Sequence, residues 1–276
     1  AGGMVQITTK SVPNQNFMSF SAGTSFNSET TGKDFMGYGR GKYDYLGFDD
    51  GSRDHFPDGL IDLGGYDPRI PDANNKIKAA QVAEQNKRIG GTERLGTRIY
   101  QAMPSQNYQF NIGRTYALDT NNTRKFGFVG SVSYRNTQSN DYIASMRRGN
   151  WSRQPVRADD PDDVNTGNIY GFNTTLGVLL NGGFKTANHQ VNVYNLYTRI
   201  FDNRFSRITG WSDESPKDDR EQKFPGTAED DRPKFTDLLQ NKLSSTHQFG
   251  GFKVEWSVAR TVIKSFEKDA VEASVN

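Results

Sequence analysis

Cysteine is absent from the 276-residue chain, and this absence excludes several kinds of chemistry at once. Without thiols there is no disulfide framework, no cysteine nucleophile and no thiolate metal site. Lysine and arginine number 34 against 32 aspartate and glutamate, so the formal net charge is only +2. Such a balance gives no indication of a nucleic-acid partner. The sequence also has no run of 18 apolar residues, so we predict no transmembrane helix.

Aromatic residues and glycine are the components that the chain does have in quantity. Hydrophobic residues make up 33% of the chain, while aromatic residues reach 12% and glycines number 28. This composition is poor in the aliphatic residues of an enzyme core and suits β structure. The clearest pattern is period-two alternation, which occurs at about 17–26, 107–114, 126–134, 169–184, 190–200, 235–249 and 252–263. We therefore predict an all-β fold with about seven strands of roughly ten residues.

The connections between the predicted strands alternate in length. Short links at 119–125, 185–188 and 250–251 alternate with long, charged segments at about 49–105, 141–167 and 203–234. The first long segment is predicted to contain a helix over 74–88, ended by two glycines. Short turns at one rim and long loops at the other are typical of outer-membrane barrels, whereas soluble sandwiches more often have short links at both ends.

The alternation allows two fold classes, because a membrane barrel and a soluble sandwich both place apolar side chains on one side of each strand. Strand length and loop asymmetry favour an antiparallel transmembrane β-barrel portion with long extracellular loops. The alternative is a β-sandwich, secreted or attached to the cell surface, that acts in binding or adhesion.

Two segments carry a resemblance to a known family. Residues 1–10, AGGMVQITTK, resemble the closing strand of the plug domain in TonB-dependent outer-membrane receptors, where a GG-x-x-x-I-x-T-K string precedes the first barrel strand. Residues 44–53, DYLGFDDGSR, are similar to a segment of the large receptors of this family whose plug follows a carboxypeptidase-regulatory-like domain, a group that includes SusC-like transporters.

The resemblance implies a partial receptor. Residues 1–13 would end the plug, and residues 14–276 would form the N-terminal part of a barrel of about 22 strands. Gly2, Gly3 and Lys10 would mark the junction of plug and barrel, the glycines allowing close backbone approach. The signal peptide, the TonB box and most of the plug would lie upstream.

The implied function is energised uptake of a nutrient, such as a glycan, a peptide or a siderophore, across the outer membrane. The implied partners are the TonB complex, outer-membrane lipid and lipopolysaccharide, and in some cases a surface lipoprotein. Import of this kind makes and breaks no bond in the ligand. We therefore expect no enzymatic activity, no catalytic residue and no cofactor.

An acidic cluster is the first candidate site. Asp44, Asp49, Asp50 and Asp54 lie close to Arg53 in the sequence. Several carboxylates together could hold a hard cation such as Ca²⁺, although no glutamate closes an EF-hand loop here. The favoured interpretation is a turn held by Asp–Arg pairs and by hydrogen bonds from backbone N–H groups to aspartate side chains.

A basic segment is the second candidate. Arg147, Arg148 and Trp151 could contact lipopolysaccharide phosphates or an anionic ligand, and the alternative is an ordinary solvated loop. Residues 37–41, GYGRG, resemble a phosphate loop only superficially and are interpreted as a barrel strand with small residues. The three histidines, His55, His189 and His247, have no HxH or HExxH spacing, so we expect no zinc site and assign them no role.

Overall fold

The computed structural model describes residues 11–54, 59, 73–88, 95–146, 165–212, 224–268 and 270–275 of the chain. In this part the fold is mostly antiparallel β structure, with one large sheet and one α-helix, which confirms the all-β prediction at this level. The strands are β1 (Phe17–Ser25), β2 (Asp34–Gly37), β3 (Arg98–Gln101), β4 (Ser105–Ala117), β5 (Lys125–Met146), β6 (Asn165–Lys185), β7 (His189–Ser212), β8 (Phe224–Phe249), β9 (Phe252–Glu267) and β10 (Val271–Val275). The helix is α1 (Ala73–Arg88), in agreement with the predicted helix. In the described part of the chain, no helix combines the length and the apolar composition that a membrane span requires.

The large sheet is an antiparallel meander in the order β1-β4-β5-β6-β7-β8. β9 and β10 lie one after the other along the free side of β8. β9 pairs with the Lys234–Phe249 part of β8, and β10 pairs with its Thr227–Asp231 part. Short turns join β4 to β5, β6 to β7 and β8 to β9 at one end of the sheet. The last turn contains Gly250 with φ +57°, a left-handed conformation that suits glycine. The seven predicted strands correspond to β1 and β4–β9.

The pairing register brings the apolar side chains of these strands onto one face of the sheet. One row across the sheet joins Phe20, Phe110, Val132, Val178, Tyr197, Leu239 and Val262. The side chains of this row point to one side of the sheet, which we call the front face. The adjacent row joins Ser19, Asn111, Ser131, Leu179, Leu196, Gln240 and Thr261. It points to the opposite side, the back face, because successive side chains of a strand alternate.

Four strands are longer than the sequence predicted. β5, β6, β7 and β8 contain 22, 21, 24 and 26 residues. The predicted loops at about 141–167 and 203–234 are therefore wrong at both ends, since strand residues occupy 141–146, 165–167, 203–212 and 224–234.

In β7 and β8 one contribution to the extra strand length is not visible in hydropathy. Two charged residues of the predicted loop at about 203–234 pair across the ladder instead. Arg207 Nη1 lies 3.1 Å from Glu229 Oε1 on the facing strand, and these two residues are direct register partners. Cross-strand pairs of opposite charge stabilise a sheet.

Part of the predicted loop at about 49–105, together with residues before it, forms a second layer. Residues 33–54 and 95–103, which we call the cover, lie over one part of the front face. Within the cover β2 pairs only with β3, in a separate two-stranded sheet. The interpretation of residues 37–41 as a barrel strand is therefore wrong, because β2 ends at Gly37 and lies outside the large sheet.

Aromatic rings fill the space between the cover and the sheet. Phe35 meets Tyr170 at a ring-centroid distance of 5.3 Å, and Tyr38 meets Phe205 at 5.2 Å. Beside them the fully buried Phe201 and Phe235 stack at 4.5 Å. Burial of these rings, with their edge and stacking contacts, is the main favourable contribution to docking of the cover.

The front face is thus divided into two halves along its strands. The covered half contains the aromatic core and lies toward the strand ends at Met146, Asn165, Ser212 and Phe224. The exposed half lies toward the short turns. Its apolar side chains, which we call the apolar band, remain accessible: Met18, Phe20, Tyr108, Phe110, Phe126, Val132, Val178, Leu180, Phe184, Val193, Leu239, Leu243, Val254, Trp256 and Val258.

Candidate functional site

The acidic cluster forms a compact, internally paired turn in the cover. The two guanidinium nitrogens of Arg53 donate to the two carboxylate oxygens of Asp44 at 2.8 and 2.5 Å, and both side chains are buried. The backbone N–H of Gly41 donates to Asp44 Oδ2 at 2.9 Å. Asp44 therefore already has a bidentate cation and a backbone donor, an arrangement that holds a buried carboxylate without a metal ion.

The other carboxylates of the cluster accept bonds from the turn itself. Asp50 accepts from the backbone N–H groups of Lys42 and Ser52 at 2.7 and 3.0 Å, and Asp49 accepts from that of Gly51 at 3.2 Å. These are the contacts of a turn held by aspartate side chains.

A cation from the sheet side completes this cluster. Lys268, which follows β9, contacts Asp54 and lies 3.5 Å from Asp49. Within the part of the chain that the structure describes, no three His, Asp or Glu side chains are arranged to hold a metal ion.

One hydrogen bond from the sheet fixes this turn to the covered half, and an ion pair holds its donor in place. Gly47, with φ +79°, ends the short 3-10 turn, and its carbonyl accepts from Arg199 Nε at 2.8 Å. Arg199 also pairs with Asp237 at 2.5 Å. A Cβ at position 47 would lie 3.6 Å from Arg199 Cγ, so the left-handed backbone rather than space selects glycine there.

Asp231 of β8 lies buried beneath the cluster. Burial raises the pKa of its carboxyl to about 6, while the Asn203 side chain and the Arg53 charge act in the opposite direction. Asp231 Oδ1 and Asn203 Oδ1 have no hydrogen-bond partner among the described residues. The Asp231 carboxylate is therefore incompletely compensated, and its protonation is coupled to docking of the cover.

The back face carries a second feature at its short-turn end. Ser11 is buried there and its hydroxyl bonds Asn192 Oδ1. Val12 lies over Gly127 and Gly183: a Cβ on these glycines would come within 2.9 Å and 2.7 Å of Val12 side-chain carbons. The glycines leave room in which the segment before β1 lies flat against the sheet.

Several residues singled out in the sequence lie outside the described part of the chain. These are Gly2, Gly3 and Lys10 at the proposed junction, Arg147, Arg148 and Trp151 in the basic segment, and His55. The interpretations of these residues stay predictions.

The structure also brings together two residues that the sequence analysis separated. His189 and His247 are direct register partners on β7 and β8, and their Nδ1 atoms lie 3.0 Å apart. The spacing rules for metal motifs missed them because those rules consider one segment at a time. A signal was available: each histidine lies next to a predicted short turn of the same meander, at the same end of adjacent strands.

No family model, no curated protein and no solved structure matched this chain.

Proposed function

We propose that this chain is part of an outer-membrane β-barrel of the TonB-dependent transporter class, which takes up a nutrient such as a glycan, a peptide or a siderophore. The observation that carries the proposal is the apolar band. In a soluble protein a contiguous apolar surface that spans seven strands would be costly, whereas in a membrane it is the surface that meets lipid.

The dimensions of the apolar band are close to those of a lipid contact. On β6 it extends from Phe184 to Val178, six residues or roughly 20 Å along the strand. Outer-membrane barrels have an apolar band about 25 Å tall, with aromatic residues at its margins. Phe126, Phe184 and Phe252 lie at the short-turn margin of the band and are exposed.

The back face supports a wet interior. Its residues in the exposed half are mostly small or polar, as expected for the lumen of a large barrel. The segment at Ser11 and Val12 lies on this face, which in the proposed barrel is the side of the lumen. A plug domain upstream of residue 11 would lie on this same side. The TonB complex would act on that upstream part.

One observation favours the alternative of a soluble two-layer β protein. The cover already packs on the covered half of the front face as a second layer with an aromatic core. If a further layer covered the apolar band as well, the protein would be a sandwich, and its function would be binding or adhesion.

Site-specific labelling separates the two proposals. Because the chain has no cysteine, Leu180→Cys and Leu179→Cys each give a single thiol for an environment-sensitive fluorophore. The two residues are adjacent and of one type, but they point to the front and back faces. In lipid vesicles, the fluorophore at position 180 should be quenched by brominated lipid and the one at 179 by aqueous iodide.

Equal iodide quenching at both positions, with a chain that folds in buffer and does not associate with vesicles, would contradict the barrel proposal. The transporter class is tested separately by reading the gene upstream of residue 1. A signal peptide, a TonB box and a plug are expected there. A soluble domain in their place would leave a barrel of another class.

A further inference from the structure

We infer that His189 and His247 form a binding site for a divalent late transition metal, with Cu²⁺ and Ni²⁺ preferred over Zn²⁺. The two side chains project from facing positions on β7 and β8 at the short-turn end of the front face. Both are partly exposed, so an ion in solution can reach them. The site is independent of the acidic cluster and of the transport proposal.

The tautomer of His247 is set by its neighbours. Ser245 Oγ lies 2.7 Å from His247 Nε2 and 3.0 Å from the backbone oxygen of Gln190. The serine hydroxyl donates to that carbonyl, so it accepts from His247 Nε2–H. The Nδ1 atom of His247 is then unprotonated and presents its lone pair toward His189. A histidine that binds a metal usually donates its other ring N–H to a hydrogen-bond acceptor, which fixes the tautomer and the orientation of the ring.

The spacing of the two nitrogens suits one metal ion. Their separation is 3.0 Å. An ion about 2.0 Å from each would subtend an angle of roughly 95° between them, which is near the cis angle of tetragonal copper and nickel sites and smaller than a tetrahedral angle. Without metal, His189 Nδ1–H donates to His247 Nδ1. On metal binding the proton leaves Nδ1 of His189 and a proton is taken up from solvent at Nε2, so that His189 coordinates as a neutral imidazole.

The surroundings hold the rings in place without contributing another ligand. Phe249 packs against both imidazoles, at centroid distances of 5.4 Å from His189 and 5.9 Å from His247. Thr186 Oγ1 accepts from the His189 backbone N–H at 2.9 Å and fixes the start of β7. Since no third His, Asp or Glu joins them in the described ranges, water would fill the other positions of the ion.

The test is Cu²⁺ binding by the folded chain, followed by calorimetry and electron paramagnetic resonance. The wild type should bind one ion at this site, with hyperfine coupling to two imidazole nitrogens. His189→Asn and His247→Asn should each weaken binding at least tenfold, and Ser245→Ala should weaken it several-fold through loss of the tautomer support. The wild type and the variants should rank in the same order for Ni²⁺ affinity as for Cu²⁺ affinity. Zn²⁺ should bind to the wild type more weakly than Cu²⁺.

The matched control is His55→Asn, the one other histidine of the chain, which should leave the affinity unchanged. The amino terminus is common to every variant and gives an equal background. Circular dichroism shows whether each variant keeps its β structure. If the two histidine variants bind Cu²⁺ as tightly as the wild type, or if the wild-type spectrum lacks coupling to two imidazoles, the site does not exist.

Discussion

The covered and exposed halves of the front face are built on the same strands but differ in what they meet. In the covered half a ladder row runs from Asn136 through Thr174 and Phe201 to Phe235, and these four residues are almost fully buried. In the exposed half the corresponding positions carry Val, Leu and Phe that the described chain leaves accessible. Alternation along a strand therefore fixes which face a side chain is on, and a separate segment determines whether that face is covered.

The largest effect is expected where the cover holds its buried charge pair. Asp44→Ala leaves the Arg53 guanidinium buried without its partner, which typically costs about 3–5 kcal/mol. Hydrogen–deuterium exchange should show faster exchange in residues 38–54 with little change in β4 and β5. The matched control is Glu29→Ala, which removes an exposed pair with Lys33 and should change nothing measurable. Equal exchange in the two variants would mean that the pair does not hold the cover.

A comparison of two phenylalanines tests the two halves directly. Phe235 is fully buried and Phe252 is 79% exposed, although both lie on the front face. Phe235→Ala should lower the free energy of unfolding by about 3–5 kcal/mol, because it removes a stacked ring from the core. Phe252→Ala should change it by no more than about 0.5 kcal/mol. Denaturant unfolding measures both, and similar losses would show that the exposed half is packed after all.

A pair of arginine substitutions sharpens the assignment of the exposed half. Leu180→Arg places a charge in the apolar band, and Leu179→Arg places the same charge on the back face. If the band meets lipid, Leu180→Arg should cost about 2–4 kcal/mol in folding into vesicles. Leu179→Arg should cost clearly less. Equal costs in vesicles would contradict a lipid contact at Leu180.

The smallest expected effect concerns the pH dependence of the covered half. The pKa of Asp231 is raised to about 6 in the folded chain, chiefly by burial, against about 3.9 in an unfolded chain. The folded state binds the Asp231 proton more tightly than the unfolded chain does. The contribution of this proton to the stability of the folded state is therefore fully present below about pH 4 and is lost as the pH rises through 6.

Asp231→Asn should therefore raise stability at pH 7 by about 2–3 kcal/mol, the free-energy equivalent of that pKa difference. It should also remove the change in stability between pH 4 and pH 6. Unfolding measured at pH 4 and pH 7 checks this. A variant less stable than the wild type at pH 7 would show that the Asp231 charge helps to hold Arg53.

Much of the sheet could be predicted because one rule, period-two alternation, operates on every strand. It identified β1 and β4–β9 as strands. The same rule missed the outer parts of β5–β8, which are largely polar or charged and resemble loops. In β7 and β8, Arg207 and Glu229 pair across the ladder, and Glu229 also accepts from Tyr38 and Thr97 of the cover. None of these contacts is visible in one segment alone.

The candidate sites show the same limit. Asp44 and Arg53 lie nine residues apart, so local turn chemistry suggested their pairing from the sequence. His189 and His247 lie 58 residues apart and meet only because two strands share a register. No local sequence pattern around Asp231 indicates that its side chain is buried, since this burial depends on the cover, which comes from a distant part of the chain.

The length of β5–β8 also protects the register of the sheet. β5 pairs with β6, and β7 with β8, well beyond the apolar band, with one register shift between Ile143 and Met146. A slip of one residue would turn every side chain of a strand to the other face, so a long ladder makes such a slip costly along its whole length. The surface that the apolar band presents is therefore maintained by strand residues that lie outside the band.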